Sequence, residues 1–541
     1  MKVTFRLRGK DPVTIECRAG ENLLELARQA GVPLDAPCAG NGTCGKCRVR
    51  LLEGWVDSMP SRHISPEDRA NGWVLACKST LKEDCTVIVA DSASDWQNEI
   101  RTIGLSGEET ASADAKQIAC AIDIGTTTVS AALIDPETGK LLGKASRGNG
   151  QIRYGADVIN RIIQQSRPGG IETLRDAVLK ETLIPLMEKL CTNAGVASNR
   201  ISRIAIAANT TMNHLLLGVD ANPIRMEPYE PVFLSKKGLK AADLNLPADP
   251  DAEVILAPNV GSWVGGDITA GILATDIWEK DEMSLFIDLG PNGEIVFGSR
   301  EFLLTCACSA GPAFEGGDIS CGMRATDGAV EAAVIDAETM EPALKTIGGG
   351  KCAGICGSGI IDLVAELFRH GIINPRGKFV RKGSRIRTDD FGCSRYILAF
   401  PEESAGGREV FLDEVDIDNF IRAKAAIYSG IDTLLKAVDM TPDCIDRVLV
   451  AGGIGSGINM KNAVSIGMLP NVGLEKYRYA GNTALAGACA MAVSDEAVAR
   501  CDEVAGNMTY LELSTCPGYM DSFVAACFLP HTDRSLFSDI M

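Results

Sequence analysis

The chain has 541 residues, is 46% apolar and 23% charged, and carries a net charge of −18 and 19 cysteines. Its length exceeds what one hydrophobic core organises, so roughly two to four domains are expected, and its acidic balance argues against nucleic acid and anionic membrane surfaces as partners. No charged-then-apolar leader opens the chain and no run approaches the roughly 18 apolar residues of a membrane span, so the cytoplasm is the expected compartment; cysteines in this number read as thiols and metal ligands of a reducing, anaerobic cell, not as a disulfide framework.

Residues 1–90 read as a small mixed domain. KVTFRLRG and PVTIECRAG suit two short strands joined by the turn Gly9-Lys10-Asp11-Pro12. In ENLLELARQAG, Leu23, Leu24, Leu26, Ala27 and Ala30 share a helical face that Gly31 ends. A cysteine loop follows, then the strand-like runs CRVRLLEG and CTVIVADS. Strand, strand, helix, loop, strand is the order of a β-grasp domain.

The loop PCAGNGTCGKC sets Cys38, Cys44 and Cys47 at C-x5-C-x2-C spacing, and Cys77 in WVLACKS offers a fourth sulfur. Structural zinc usually takes two close pairs. Three bunched cysteines and one distant one suit a [2Fe-2S] cluster held by a single loop, whose glycines let backbone N–H groups approach the sulfurs. The first spacing is one residue longer than the plant type and resembles that of the adrenodoxin-like β-grasp ferredoxins. Zinc or redox thiols are the alternatives. Cys85 is the rival fourth ligand, disfavoured because it opens the strand-like CTVIV.

Residues 91–117 lose periodicity, gain Ser, Ala, Glu and Asp, and read as a linker. From 118 the pattern becomes strand, Gly-Thr turn, strand, Asp-Pro-Glu-Thr-Gly turn, strand: an antiparallel meander, followed by the helical GADVINRIIQQS and ETLRDAVLKETLIPLMEKLCTNAG and the buried-type strand RIAIAAN. A second round opens at 284 with SLFIDLGPNGEIVFGSREFLLTC. The matched AIDIGTT and FIDLGPN imply duplicated α/β halves around a cleft, over 118–283 and 284–499. Residues 500–541 repeat neither half and read as a C-terminal extension.

Each half carries a turn suited to phosphate. After the strand ending at Asp123, Gly125, Thr126 and Thr127 can aim N–H and hydroxyl donors at an anion, while Asp123 acts on Mg²⁺ through water. The second copy offers Asp288, Gly290, Asn292 and Gly293. Late in the chain RVLVAGGIGSGINM runs a strand into Gly452, Gly453 and Gly455, where an adenosine can lie against backbone. Any one of these is an ordinary turn; the three in this order are a nucleotide cleft. Asp267 in GGDITAG opens a helix and reads most plainly as an N-cap. CACSAGPAFEGG, residues 306–317, reads as a small-residue loop too flexible and polar for a core strand. Cys306, Cys308, Cys321, Cys352 and Cys356 fit no cluster spacing and read as buried thiols.

With these residues in place, the chain resembles the superfamily of acetate and sugar kinases, Hsp70 and actin. It resembles still more closely the reductive activators of corrinoid-dependent methyltransferases, through RYGADVINRI (153–162), NTTMNHLLLG (209–218), VGGDITAGIL (264–273), CSAGPAFEGG (308–317), GICGSGIIDLVAEL (354–367) and YAGNTALAGA (479–488). The resemblance implies an α/β and α+β multidomain chain: a β-grasp [2Fe-2S] ferredoxin domain, then a duplicated ribonuclease-H-like ATPase fold. It implies ATP and Mg²⁺ as ligands, one-electron reduction of the inactive Co(II) form of a corrinoid protein, and an external low-potential electron donor. No D-x-H-x-x-G run is present, so the corrinoid is expected on the partner. A homodimer is compatible with the sequence. Sugar kinases place a base Asp in a similar context, which gives Asp267 the role of activating water; Ser309 becomes an oxygen facing cobalt. Plant-type clusters sit near −400 mV, and a gap of about 200 mV to a lower-lying Co(II)/Co(I) couple amounts to roughly 4–5 kcal/mol, a step that an ATP-driven change of state can supply.

Two features depart from the family pattern. Pro291 stands where Gly-Thr-Asn-Gly is usual and removes an N–H and a hydroxyl, and the segment between cluster domain and ATPase is short. A small-molecule kinase with a redox domain, or an Hsp70-like cofactor-loading chaperone, are the alternative functions.

Overall fold

The computed structural model of the chain describes residues 1–7, 11–32, 34, 36, 38, 40–42, 45–61, 63–89, 117–290, 292–390, 392–453 and 457–538. Cys44, Pro291, Gly455 and nearly all of the expected linker, 91–116, lie outside the described residues.

Alternation of apolar and polar residues near the N-terminus produces a five-stranded sheet in the order Val13–Glu16, Lys2–Arg6, Cys85–Val89, Arg48–Glu53, Trp73–Leu75. Lys2–Arg6 runs parallel to Cys85–Val89 and antiparallel to Val13–Glu16. Helix Leu23–Gln29 lies across it, started by Asn22, whose side chain accepts from the N–H groups of Leu24 and Glu25. Leu23, Leu24, Leu26 and Ala27 are buried with Val3, Phe5, Val49 and Val87 in one core. This is the β-grasp arrangement.

Two six-stranded sheets follow. The first has the order Leu141–Gly148, Thr128–Ile134, Ile118–Ile124, Ile201–Ala208, Glu253–Leu256, Leu239–Lys240. The second has the order Phe302–Cys308, Gly293–Ser299, Ser284–Leu289, Arg447–Ala451, Tyr477–Gly481, with Met508–Tyr510 on its outer edge. In both, an antiparallel meander of three strands is extended by two parallel strands on the side of its first strand. The shared order is the duplication that the two Ile-Asp-x-Gly runs imply, and it is the ribonuclease-H-like topology. Parallel pairing brings the carboxyl ends of strands one and four together, the usual ligand-binding end of such sheets. Asp123 pairs with Ala207 and Asp288 with Ala451, so Asn209 and Gly452 stand just beyond the two aspartates.

Between the sheets, helices Gly266–Leu273 and Thr483–Val493 cross at backbone contact. A Cβ on Gly487 would lie 1.9 Å from the Ala270 carbonyl oxygen. Small residues at this crossing let the halves approach, with Ala270, Ala484 and Ala488 buried against Ala119, Ala121 and Ala205.

Two expectations differ from the structure. Cys306 and Cys308 are not loop residues: both are buried in strand Phe302–Cys308, paired with Ile295 and Gly293, and the loop begins at Ser309. The boundary expected at residue 500 falls inside helix Asp495–Asn507, and Met508–Tyr510 pairs in parallel with Leu303–Thr305. The final segment is also tied down by Lys424 of helix Glu414–Ala437, fully buried, whose Nζ donates to the carbonyls of Gly467 (3.3 Å), Phe528 (2.7 Å) and Pro530 (2.6 Å). Sequence periodicity missed this because a three-residue edge strand carries almost no pattern. Among the described residues, no helix is long and apolar enough to cross a membrane.

Candidate functional site

The cluster loop is shaped by left-handed glycines: Gly40, Gly42 and Gly45 have φ of +95°, +77° and +66°. A Cβ on Gly45 would meet the His63 ring at 2.6 Å, so no larger residue fits there without displacing it. Cys38, Cys47 and Cys77 are all buried. Cys77 follows strand Trp73–Leu75, and its turn is fastened by the Ala76 N–H to the Cys47 carbonyl (2.8 Å) and by Asn22 Nδ2 to the Cys77 carbonyl (3.0 Å). The Cys77 N–H lies 3.5 Å from Cys47 Sγ. The Cys47 thiol is pushed up by its hydrogen bond with the Cys77 side chain, then by burial, with Cys38 adding to the effect. A buried thiol set in which Cys47 is held neutral by its sulfur neighbours forms a donor set suited to a cationic iron centre, which reverses that balance. The set fits a [2Fe-2S] cluster, with Cys44 as the remaining sequence candidate. Among the described residues alone, no three His, Cys, Asp or Glu groups close on a single metal position. Cys85 sits elsewhere, at the start of its strand opposite Val3, with Cys17 as its sulfur neighbour.

The second site is a cavity of about 350 Å³ between the two six-stranded sheets. From the first half it is lined by Asp123, Gly125, Thr126, Thr127 and Asp267, and from the second by Asp288, Gly290, Asn292, Gly452 and Gly453. Both turns are closed by backbone: the Gly125 N–H donates to Thr128 O (3.0 Å) and the Gly290 N–H to Asn292 O (3.1 Å). Asn149 Nδ2 holds the Gly125 carbonyl at 2.9 Å, and buried Arg161 donates to the Thr126 carbonyl. Those two contacts occupy the Gly125 and Thr126 carbonyls, while the Thr126 hydroxyl accepts from Asn209 and the Thr127 hydroxyl donates to Glu315. Gly452, at φ +92°, comes so close to the Asp288 turn that a Cβ would lie 2.5 Å from the Leu289 carbonyl oxygen.

Carboxylates dominate the cavity's charge. Burial raises Asp267 to about 8, with Asp288 and Asp123 adding to it. Burial raises Asp123 to about 7 against the opposing hydrogen bond from Asn482 Nδ2, 2.8 Å from its Oδ2. Asp288 is raised by burial to about 6. Glu294, which faces Asp288 across its hairpin, is raised well above the usual range by burial and by Asp267 and Asp288. Asp123, Asp267, Asp288 and Glu294 thus gather negative charge along the cavity; no three of them close on a single position, so they suit an Mg²⁺ held through its waters and a nucleotide's phosphates.

Several expected residues are placed differently. Asp267 is not the N-cap: Gly265 holds that position, and Asp267 sits in the first turn of Gly266–Leu273 with its carboxylate in the cavity. Gly293 does not line the cavity; it is buried, and a Cβ there would meet Cys308 Sγ at 2.7 Å, so it is a packing glycine. Ser309 is exposed just past its strand and outside the cavity lining. Gly455 and Cys44 are outside the described residues.

Sequence reasoning missed Glu294, Asn209, Asn482, Glu315 and Arg324. Asn209 and Asn482 each cap a helix that leaves a parallel strand, and each turns its amide to the other half's or its own phosphate turn: Asn209 Nδ2 to Thr126 Oγ1 (3.1 Å), Asn482 Nδ2 to Asp123. An Asn followed by Thr at the junction of a strand and a helix was the available signal. Glu315 accepts from the Thr127 hydroxyl and so bridges the halves, while Arg324 reaches the cavity from the second half. Neither position has a sequence pattern of its own.

The cluster domain rests on both halves of the ATPase-like unit. Lys46 Nζ donates to the Gly322 carbonyl at 2.9 Å in the second half. Arg28 Nη2 donates to the Arg153 carbonyl at 3.3 Å, and Glu25 pairs with Arg167 at 3.0 Å, both in the first half.

Family profiles cover nearly the whole chain: a 2Fe-2S iron-sulfur cluster binding domain over residues 5–82, the RACo middle region over 118–280, and the C-terminal domain of RACo, the ASKHA domain, over 282–541. The chain is 32% identical over 413 residues to the corrinoid activation enzyme RamQ of Eubacterium limosum, a match covering 75% of this chain and 69% of that one. It is 24% identical over 400 residues to the [Co(II) methylated amine-specific corrinoid protein] reductase of Methanosarcina barkeri, covering 68% of each. A solved structure titled reductive activator for corrinoid, iron-sulfur protein superposes with a TM-score of 0.74 at 37% identity, over 99% of this chain and 100% of that one. The chain therefore belongs to the RACo family, the reductive activators of corrinoid proteins.

Proposed function

We propose that this chain restores the Co(I) state of a corrinoid protein of a methyltransferase system by ATP-dependent, one-electron reduction of its inactive Co(II) form. The observation that carries the reading is the seating of a domain with a buried thiol set against both of the halves that enclose a carboxylate-lined cavity, within one chain. Cys38, Cys44, Cys47 and Cys77 would hold a [2Fe-2S] cluster. When bound, that group supplies single electrons received from an external low-potential carrier. Everything else falls to the chain's own residues. The amides and hydroxyls of Thr126 and Thr127, with the amide groups of Asn292, would take the phosphates from opposite sides, in turns closed by Gly125 and Gly290. Gly452 and Gly453, with Gly455, leave room for adenosine. Asp123 and Asp288 would hold Mg²⁺, and Asp267 would orient and deprotonate the attacking water, a task suited to a carboxylate raised toward neutrality.

Hydrolysis between residues 118–283 and the unit that begins at 284 changes how the halves sit, and with them the surface offered to the corrinoid protein. Ser309, exposed on the second half, would face cobalt. The setting is a reducing cytoplasm.

The test mixes reduced protein, a Co(II) corrinoid protein encoded beside it and Mg-ATP, and follows Co(I) absorbance. Co(I) should accumulate with ATP and stay near background without it. A phosphorylated small molecule as product, with no Co(I), would make the chain a kinase instead.

A further inference from the structure

If the cavity between the halves takes ATP, the reading on which this coupling rests, the seat of the cluster domain bears on nucleotide binding. Three polar contacts of that domain, among the described residues, are divided between the halves: Gly322 on one side, Arg153 and Arg167 on the other. The Gly322 segment moves with the second half. The Ser320 N–H is held by Asp416 Oδ1 (2.8 Å), the Met323 N–H by the Ile355 carbonyl (2.8 Å), and the Asp318 carbonyl by Asn419 Nδ2 (2.9 Å). Arg153 and Arg167 belong to the first half, and Arg153 pairs with Glu181. A compact β-grasp domain fastened to both sides cannot keep all three contacts if the halves shift.

The cavity shows what would shift them. Thr127, in the first phosphate turn, spends its hydroxyl on Glu315 of the second half. A phosphate bound at that turn takes the same hydroxyl. Arg324, two residues past Gly322, lines the same cavity, and its buried Nη1 finds no hydrogen-bond partner among the described residues. A buried guanidinium N–H without a hydrogen-bond partner among the described residues, in a cavity it shares with Thr127 and Glu315, is a donor available to an anion.

We propose that the cluster domain braces the nucleotide-free arrangement of the two halves, and that a nucleoside triphosphate, held by Thr127 from one half and Arg324 from the other, shifts the halves and releases the brace. The terminal phosphate displaces Glu315 from Thr127 and draws Arg324 across the cavity. Gly322 then moves relative to Arg153 and Arg167. The hydrogen bonds and ion pair of the brace are partly exposed and individually weak, so it is easily tipped. The coupling is reciprocal: whatever factor of affinity the triphosphate loses in releasing the domain, removal of the domain's contacts returns to it. Cluster release and ATP occupancy become one equilibrium, which frees the electron source only when the ATPase half is loaded.

The experiment uses the full chain with its cluster, a β,γ-nonhydrolysable ATP analogue and ADP, each with Mg²⁺. Calorimetry gives affinities, and hydrogen exchange is read in peptides covering residues 45–48 and 318–323. In the unaltered protein the analogue should speed exchange in both peptides about tenfold, and ADP by less than about twofold. Lys46→Gln and Arg167→Gln should bind the analogue about three- to tenfold more tightly, with ADP affinity unchanged. Arg324→Gln should lose the preference for analogue over ADP, and Arg324→Lys should recover part of it, because it restores the charge without the planar fork. Analogue binding with unchanged exchange, or brace variants that bind it no more tightly, would overturn the brace while leaving the ATPase reading intact. Absence of any nucleotide binding would overturn both.

Discussion

Gly452→Ala tests whether the cavity is a nucleotide site by closing it from within. Gly452 has φ +92°, and a Cβ there would lie 2.5 Å from the Leu289 carbonyl oxygen and 2.7 Å from Asp288 Oδ1. The backbone conformation alone costs a non-glycine residue roughly 1–2 kcal/mol. Separating the Gly452 turn from the Asp288 turn adds an overpacking penalty of about 1–3 kcal/mol, since the obstacle is backbone and not a flexible side chain end. A total of roughly 2–5 kcal/mol, borne at the site, weakens Mg-ATP about 30- to 5,000-fold. Borne by the fold instead, the same energy lowers the melting temperature of the ATPase-like unit by roughly 5–15 °C. Calorimetric titration with Mg-ATP and a thermal melt measure the two parts, and the cluster's visible absorbance serves as control because the cysteines belong to a separate domain with its own core. Mg-ATP affinity within about threefold of the unaltered protein, together with an unchanged melt, would refute the geometry.

Three further outcomes are expected. Cys77→Ser should abolish the visible absorbance of the cluster, whereas Cys85→Ser, whose sulfur lies by Cys17, should keep it; equal loss in both would reverse the ligand assignment. Ser309→Ala should slow Co(I) formation about tenfold, or about 1.4 kcal/mol, with Mg-ATP affinity unchanged; an unaltered rate removes Ser309 from the corrinoid contact. Burial pushes the Lys424 ammonium down from 10.5 to about 7. Its pKa is lowered on folding, so between about pH 7 and 10.5 the unfolded chain holds a proton that the folded chain releases. Stability should therefore rise with pH across that window, by at most about 1.4 kcal/mol per unit. Denaturant midpoints at pH 7 and 9 should show this slope in the unaltered protein and lose it in Lys424→Met; a constant difference between the two proteins would contradict it.

Much of the architecture was legible because it repeats. The strand-ending Asp123 and Asp288, each followed by a Gly turn, mark the first hairpin of each half, and the observed strand orders match one another. The cysteine spacing pointed to the loop that gathers Cys38, Cys47 and Cys77. Residues whose role depends on crossing from one half to the other were not legible. Glu315 and Arg324 lie in a segment without periodicity, and only the fold sets them opposite Thr127. Glu294 read as an ordinary strand residue, though its hairpin partner is Asp288. The same limit hid the strand Met508–Tyr510, whose place is fixed by Leu303–Thr305, some two hundred residues earlier in the chain. Gly293 was misread for a related reason: a glycine beside a phosphate turn and a glycine beneath a cysteine look alike until the neighbouring strand is in place.

The most direct test of energy coupling holds the solution potential near −400 mV, about that of a plant-type cluster, and measures the Co(I) fraction of a corrinoid protein with and without Mg-ATP. With cobalt about 200 mV lower, Co(I) at equilibrium without ATP should stay under about 0.1%, at 59 mV per decade. With Mg-ATP it should accumulate to a large fraction, and Cys47→Ser should abolish that gain. The same Co(I) fraction with and without Mg-ATP would contradict the account.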